Sequence, residues 1–283
     1  MKTLPVLALA GISAVGMGGW YKFHHLKPKT LREYLEWQGL RLLSDFEENY
    51  WKSILDENQK LISDLNLGSG TASLREWCRR SLESKSYDNL ISNASSLCVD
   101  NPKTVKARMI QLYGSADGLI SQDNDYKVAY VFRKHIEGFH SLIGYTPKVD
   151  EKGNEEEDLD AAKDAFKRWC EDSLNKPVED TLVRNVKSLC TPKGFSSISD
   201  LINQRKETSL LLTDSQNSSK LEKKYNDIKE LASWTAENKT SNGNKKDLSD
   251  WCKESKDKNF YDQGVFSEVY PKFRYRCLDE QKN

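Results

Sequence analysis

Apolar residues recur at spacings of three and four along most of the chain, with charged residues between them, and that period belongs to α-helices. In "TLREYLEWQGLRLL", Leu31, Tyr34, Leu35 and Leu42 recur at helical spacing. Thr30 and Glu33 make a capping box there, since hydroxyl and carboxylate can each satisfy a free backbone N–H. The next stretch aligns Trp51, Ile54, Leu55, Leu61, Ile62 and Leu65. "LGSG" interrupts it, and a third stripe holds Leu74, Trp77, Cys78, Ser81 and Leu82, with Cys78 at the edge of the buried face. The sustained alternation of a half-buried strand does not occur. The pattern predicts an all-α fold in units of three helices, each closed by a short fourth helix or turn.

The pattern repeats. "LREWCRRSL", "FKRWCEDSL" and "LSDWCKES" each place a Trp before a Cys: Trp77–Cys78, Trp169–Cys170 and Trp251–Cys252. Cys98, Cys190 and Cys277 follow 20, 20 and 25 residues later. Ser81, Ser173 and Ser255 lie three after the first Cys, and Leu97 and Leu189 stand just before the closing one. An aromatic residue precedes each Trp, at Trp51, Tyr126 and Tyr225, with a Pro-, Gly- and acid-containing insertion near 145–160 lengthening the second interval. These matches predict three related helical repeats over 30–103, 104–194 and 195–283. Trp77, Trp169 and Trp251 are expected as core anchors, and helical spacing assigns Trp37, Trp51 and Trp234 to core packing as well. Glu155–Asp158 reads as a solvated loop.

The N-terminus departs from this polar pattern. Leu4 to Tyr21 is uncharged and, as a helix, would span about 27 Å, close to a bilayer core. Residues 1–22 are therefore expected to form a signal anchor, or a cleaved signal peptide, joined by a linker over 23–29. Lys22, Lys27, Lys29 and Arg32 outnumber Lys2, which by the positive-inside rule would hold the following chain in the cytoplasm.

The cysteines point the other way. Six cysteines allow about 15 pairings, but the repeat favours each unit closing on itself: Cys78 with Cys98, Cys170 with Cys190, Cys252 with Cys277. Zinc would want CxxC or CxxH spacing, which is absent; six reduced, buried thiols are the other alternative. Disulfides imply an oxidising, extracytoplasmic setting. The expected location is thus the cell membrane, single-pass through residues 4–21, with the chain after about residue 22 extracellular, or secreted if the segment is cleaved.

Composition narrows the function without naming it. Lys+Arg and Asp+Glu both total 43 of 283 residues, so the net charge is zero and no nucleic-acid partner is expected. GxSxG, HExxH, GxxxxGK[ST] and GxGxxG are missing, so no catalytic, cofactor-binding or metal residue is assigned and no enzyme activity is expected. His135 and His140 are five apart, off a common helical face, and read as surface or partly packed. Sequons stand at Asn93, Asn217 and Asn238.

The N-terminal Gly/Ala-containing apolar segment, the Thr-x-[Arg/Lys]-x-x-Leu start in "KTLREYLEWQGLRLL", and "LREWC", "NPKTVKARM", "FKRWC" and "LSDWC" together resemble the large paralogous families of uncharacterised proteins of haemotrophic mycoplasmas. The resemblance covers most of the chain and implies a membrane-anchored or cell-surface protein, one of many variants, meeting a host surface protein or host immunity. It transfers no catalytic residue. A secreted or anchored hydrolytic enzyme and a structural scaffold for membrane proteins are the alternative readings.

Overall fold

A computed structural model describes residues 28–151, 153, 155–238 and 243–279. The expected membrane segment, residues 4–21, lies outside them, and no helix among the described residues is long and apolar enough to cross a membrane. Those residues form fifteen α-helices and no strand, so the all-α expectation is met; extended backbone is limited to isolated antiparallel bridges.

The chain divides between Pro102 and Lys103 into two compact units. The first contains α1 (Leu31–Trp37), α2 (Glu48–Glu57), α3 (Gln59–Asp64), α4 (Thr71–Leu82) and α5 (Ile91–Leu97). Thr30 caps α1 by accepting from the Glu33 N–H. The helix is shorter than the apolar stripe suggests. Gly39 takes a left-handed φ of 78°, the chain turns, and Leu42 pairs with Val99 instead of continuing the helix. The second stripe is likewise split at Asn58, whose side-chain amide donates to the Ile54 carbonyl and competes with the helical ladder. The core of this unit centres on Leu31, Leu35, Trp51, Ile54, Leu74, Cys78 and Leu97.

The second unit contains α6 (Val105–Tyr113), α7 (Asp123–Val131), α8 (Phe139–Ile143), α9 (Leu159–Leu174), α10 (Asp180–Leu189), α11 (Ile198–Gln204), α12 (Ser218–Ile228), α13 (Ala232–Thr235), α14 (Lys245–Lys256) and α15 (Tyr270–Cys277). One continuous core runs through it from Val105 to Leu278. Phe132, Phe195, Phe260 and Phe266 join its two halves, with edge-to-face ring contacts of 5.0, 4.9 and 4.8 Å from Phe132 to the other three. Edge-to-face geometry aligns positive ring edges with negative faces.

Three ties recur along the chain. A Thr or Ser caps the first helix of each sequence segment: Thr30, Thr104 and Ser197 accept from Glu33, Ala107 and Asp200 N–H groups. The N–H of the following residue reaches the turn after the Trp–Cys helix, as Leu31 to Ser84 O at 3.0 Å, Val105 to Lys176 O at 3.0 Å and Ile198 to Lys258 O at 3.1 Å. A residue beyond the first helix of each segment then donates to the closing cysteine: Leu43 to Cys98 O, Ile120 to Cys190 O and Leu212 to Cys277 O.

The tryptophans sort differently from their expected placing. Trp51 and Trp234 are among the largest fully buried side chains, and Trp169 is buried at 9 % exposure. Trp77 and Trp251 are only half-buried at the core margin. On α4 the inward positions are Leu74, Cys78, Ser81 and Leu82, which leaves Trp77 on the flank of the stripe. Trp37 is not a core residue: it is 71 % exposed, because it lies two positions after Leu35, about 200° round the helix from the buried stripe.

Candidate functional site

All six cysteines are oxidised. Cys78–Cys98, Cys170–Cys190 and Cys252–Cys277 have Cα–Cα separations of 5.6, 5.9 and 5.6 Å, within the ordinary disulfide range. In each, the first cysteine sits on the long Trp–Cys helix and the second ends the short helix after it. The upstream aromatic belongs to the same core cluster as its cysteines: Trp51, Tyr126 and Tyr225 are all buried. Trp51 Nε1–H donates to Ser44 O at 2.8 Å and the Tyr126 hydroxyl to Ile120 O at 3.0 Å, so both rings also fix the extended segment leading to their helix. Burial pushes the Tyr126 phenol up to about 12, with Glu171 and Asp123 adding to the shift, so it donates as a neutral hydroxyl.

Arg276 shows how the third Trp–Cys pair is supported. Its guanidinium lies 5.3 Å from the Trp234 ring and 4.7 Å from the Trp251 ring. It also pairs with Glu237 at 2.7 Å and donates to Ser233 O at 3.1 Å. The side chain is 3 % exposed. Burial pushes the Glu237 carboxyl up, but hydrogen bonds from Lys272 and Arg276 outweigh it and hold the group below the usual carboxylate range. Sequence reasoning missed this residue, since an Arg at an otherwise apolar position before the closing Cys gives no local signal of the two rings it joins.

Each of the two units carries a surface cavity. In the second unit, a polar space of about 410 Å³ is lined by Lys127, Glu156, Glu157, Asp158, Asp160 and Tyr261 among others. Glu157, expected in a solvated loop, is instead drawn inward. Its carboxylate accepts from the Gly264 N–H at 2.6 Å and Ser267 Oγ at 3.2 Å, and Lys134 lies 3.8 Å away. Glu155 is held too, by the Tyr130 hydroxyl at 3.3 Å. In the first unit, a cavity of about 260 Å³ opens beside Cys78, with Leu43, Trp51 and Leu82 below and Arg32, Arg75, Arg79 and Asp45 around it.

The remaining polar residues have structural surroundings. His140 Nε2 is 3.0 Å from the Tyr130 hydroxyl and stacks on that ring, while His135 stacks on Phe266. The Asn217 amide is occupied in the folded chain, donating to Ser209 O and Leu211 O at 3.1 and 2.8 Å in a buried setting. Among the described residues no group of three His, Cys, Asp or Glu side chains could hold a metal ion. No protein family, curated protein or solved structure matches this chain.

Proposed function

We propose that the chain is a membrane-anchored surface protein whose ectodomain is three copies of one disulfide-closed helical unit, serving host-cell contact or the display of a variable helical surface. The observation that carries the reading is the complete oxidation of the cysteines into three local pairs. Such pairs persist outside the reducing cytoplasm. Recurrence of the same cap, the same helix-to-turn bond and the same bond to the closing cysteine supports a common ancestral unit. The apolar stretch Leu4–Tyr21 supplies the anchor, and the resemblance to surface proteins of haemotrophic mycoplasmas agrees with it.

Trypsin shaving of intact cells tests the proposal, combined with membrane-impermeant thiol alkylation before and after an impermeant reductant. Peptides from 30–279 should be released from unbroken cells, and the cysteines should react only after reduction. Protection of those peptides until lysis, with thiols already free to alkylate, would place the chain on the cytoplasmic side and reject the reading.

A further inference from the structure

The cavity beside Cys78 is not required by the disulfide. Its floor is apolar, made by the buried side chains of Leu43, Trp51 and Leu82. Around it stand three guanidinium groups, from Arg32, Arg75 and Arg79, against the single carboxylate of Asp45. The Nε–H of Arg75 is buried and has no acceptor. A buried donor on a charged group without a partner is costly.

Each of the three arginines is paired with a carboxylate. Arg32 pairs with Glu83 at 3.1 Å, Arg79 with Glu76, and Arg75 with Glu48. The Arg32 and Arg79 pairs are solvent-facing, contribute little and can be outcompeted. Phe46, next in the chain to the lining Asp45, is 96 % exposed and makes no core contact that would explain it. An open arginine cavity beside a solvent-facing aromatic has the composition of a binding surface.

The feature belongs to the first segment alone. Counted from the Trp–Cys pair, Arg75 and Arg79 correspond to Lys167 and Glu171 in the second segment and to Ser249 and Lys253 in the third. Counted from the first helix cap, Arg32 corresponds to Lys106 and Ser199. The stapling elements recur in all three segments while the arginine triad does not, so the triad serves something other than stapling.

We propose that this cavity binds a small organic acid, its carboxylate gripped by Arg75 and Arg79 and its carbon skeleton laid on the Trp51–Leu82 floor. The planar guanidinium fork matches a carboxylate in paired hydrogen bonds. At about 260 Å³ the space takes a ligand of the size of an aromatic acid or a sugar acid.

Calorimetric titration of the full chain, with disulfides formed, tests it using benzoate and glucuronate against the neutral benzyl alcohol and glucose. Both carboxylates should bind saturably at one site, at least about tenfold more tightly than the neutral compounds. Arg79→Gln lies on the exposed face of α4 and leaves the core intact; it should weaken carboxylate binding by about tenfold. Arg75→Gln should do the same, and Lys167→Gln should change nothing. Absence of saturable binding, equal binding of the neutral compounds, or unchanged affinity in Arg79→Gln would overturn the proposal. Inorganic sulfate binding as tightly as benzoate would overturn the organic-acid assignment, because the apolar floor would then contribute nothing.

Discussion

At the residue scale, the Trp–Cys pair gains its stability from neighbours that lie far off in the sequence. Trp51 and Trp234 are fully enclosed, whereas Trp77 and Trp251 sit at the margin. Truncating Trp51 or Trp234 to Ala should therefore cost about 3–5 kcal/mol, the range of large-to-small core changes. Trp77→Ala and Trp251→Ala should cost clearly less, and Trp37→Ala less than about 0.5 kcal/mol, as for a surface site. Urea midpoints under non-reducing conditions give the ranking. A second expectation concerns Arg276, whose charge is bracketed by two indole rings and shared with Glu237. Arg276→Met keeps much of the volume but removes the cation. It should cost about 2–3 kcal/mol, in line with lost hydrogen bonds to charged groups, and the Glu237 carboxyl should titrate at higher pH, as read by carboxyl-carbon NMR. An unmoved Glu237 would mean that Lys272 alone sets its charge state.

At the element scale, helix existence was legible and helix ends were not. The stripe of Leu74, Cys78 and Leu82 gives α4 directly, and the Thr30 cap starts α1 as read. The end of α1 is set by Gly39 in a left-handed turn and by the pairing of Leu42 with Val99, a contact that joins residues 57 positions apart and leaves no trace in local periodicity. Asn58 splits the next stripe through its side-chain bond to the helix behind it. The capping box of α11 has a pH consequence. Asp200 accepts from the Ser197 and Ser196 backbone N–H groups, which hold its carboxyl below the usual range. The unfolded chain thus takes up this proton more readily than the folded one. The stabilisation is present at pH above the ordinary aspartate value and disappears as pH falls through the lower, folded value. Asp200→Asn should flatten the acid limb of the stability curve of the second unit between about pH 2 and 5, where aspartates titrate, with little change in that slope near neutrality. An acid limb as steep as that of the unchanged protein would assign the pH dependence to other carboxylates.

At the scale of the whole molecule, three sequence segments yield two cores. The pairing of each Trp–Cys cysteine with its nearest successor could be read from spacing, since the Trp–Cys dipeptide occurs three times in the sequence with a second Cys 20, 20 and 25 residues on. Fusion of residues 103–279 about one core could not: of the rings that join its halves, Phe132, Phe195 and Phe260 stand in turns and loops and Phe266 in a single π-helical turn, with no α-helical period to announce them. The arginine cavity was equally hidden, because Arg32, Arg75 and Arg79 come from two helices and each has an ordinary surface partner. The two cores lead to a prediction about cooperativity. A disulfide closing a loop of 20 residues stabilises by about 3 kcal/mol through the entropy it removes from the unfolded chain. Replacing Cys78 and Cys98 by Ala should therefore weaken amide protection across 31–99 and leave the second unit nearly as it was, because each unit has its own buried cluster. Replacing Cys252 and Cys277 should behave differently. The lost bridge belongs to a core that extends back to Val105, so protection should fall in α6 to α10 together with α11 to α15, although the altered cysteines lie only in the last segment. Hydrogen exchange of the two double variants, followed peptide by peptide, distinguishes shared from separate cooperativity. If the loss stayed within 198–278, the aromatic joint at Phe132 would be too weak to couple the halves, and each of the three segments would unfold on its own.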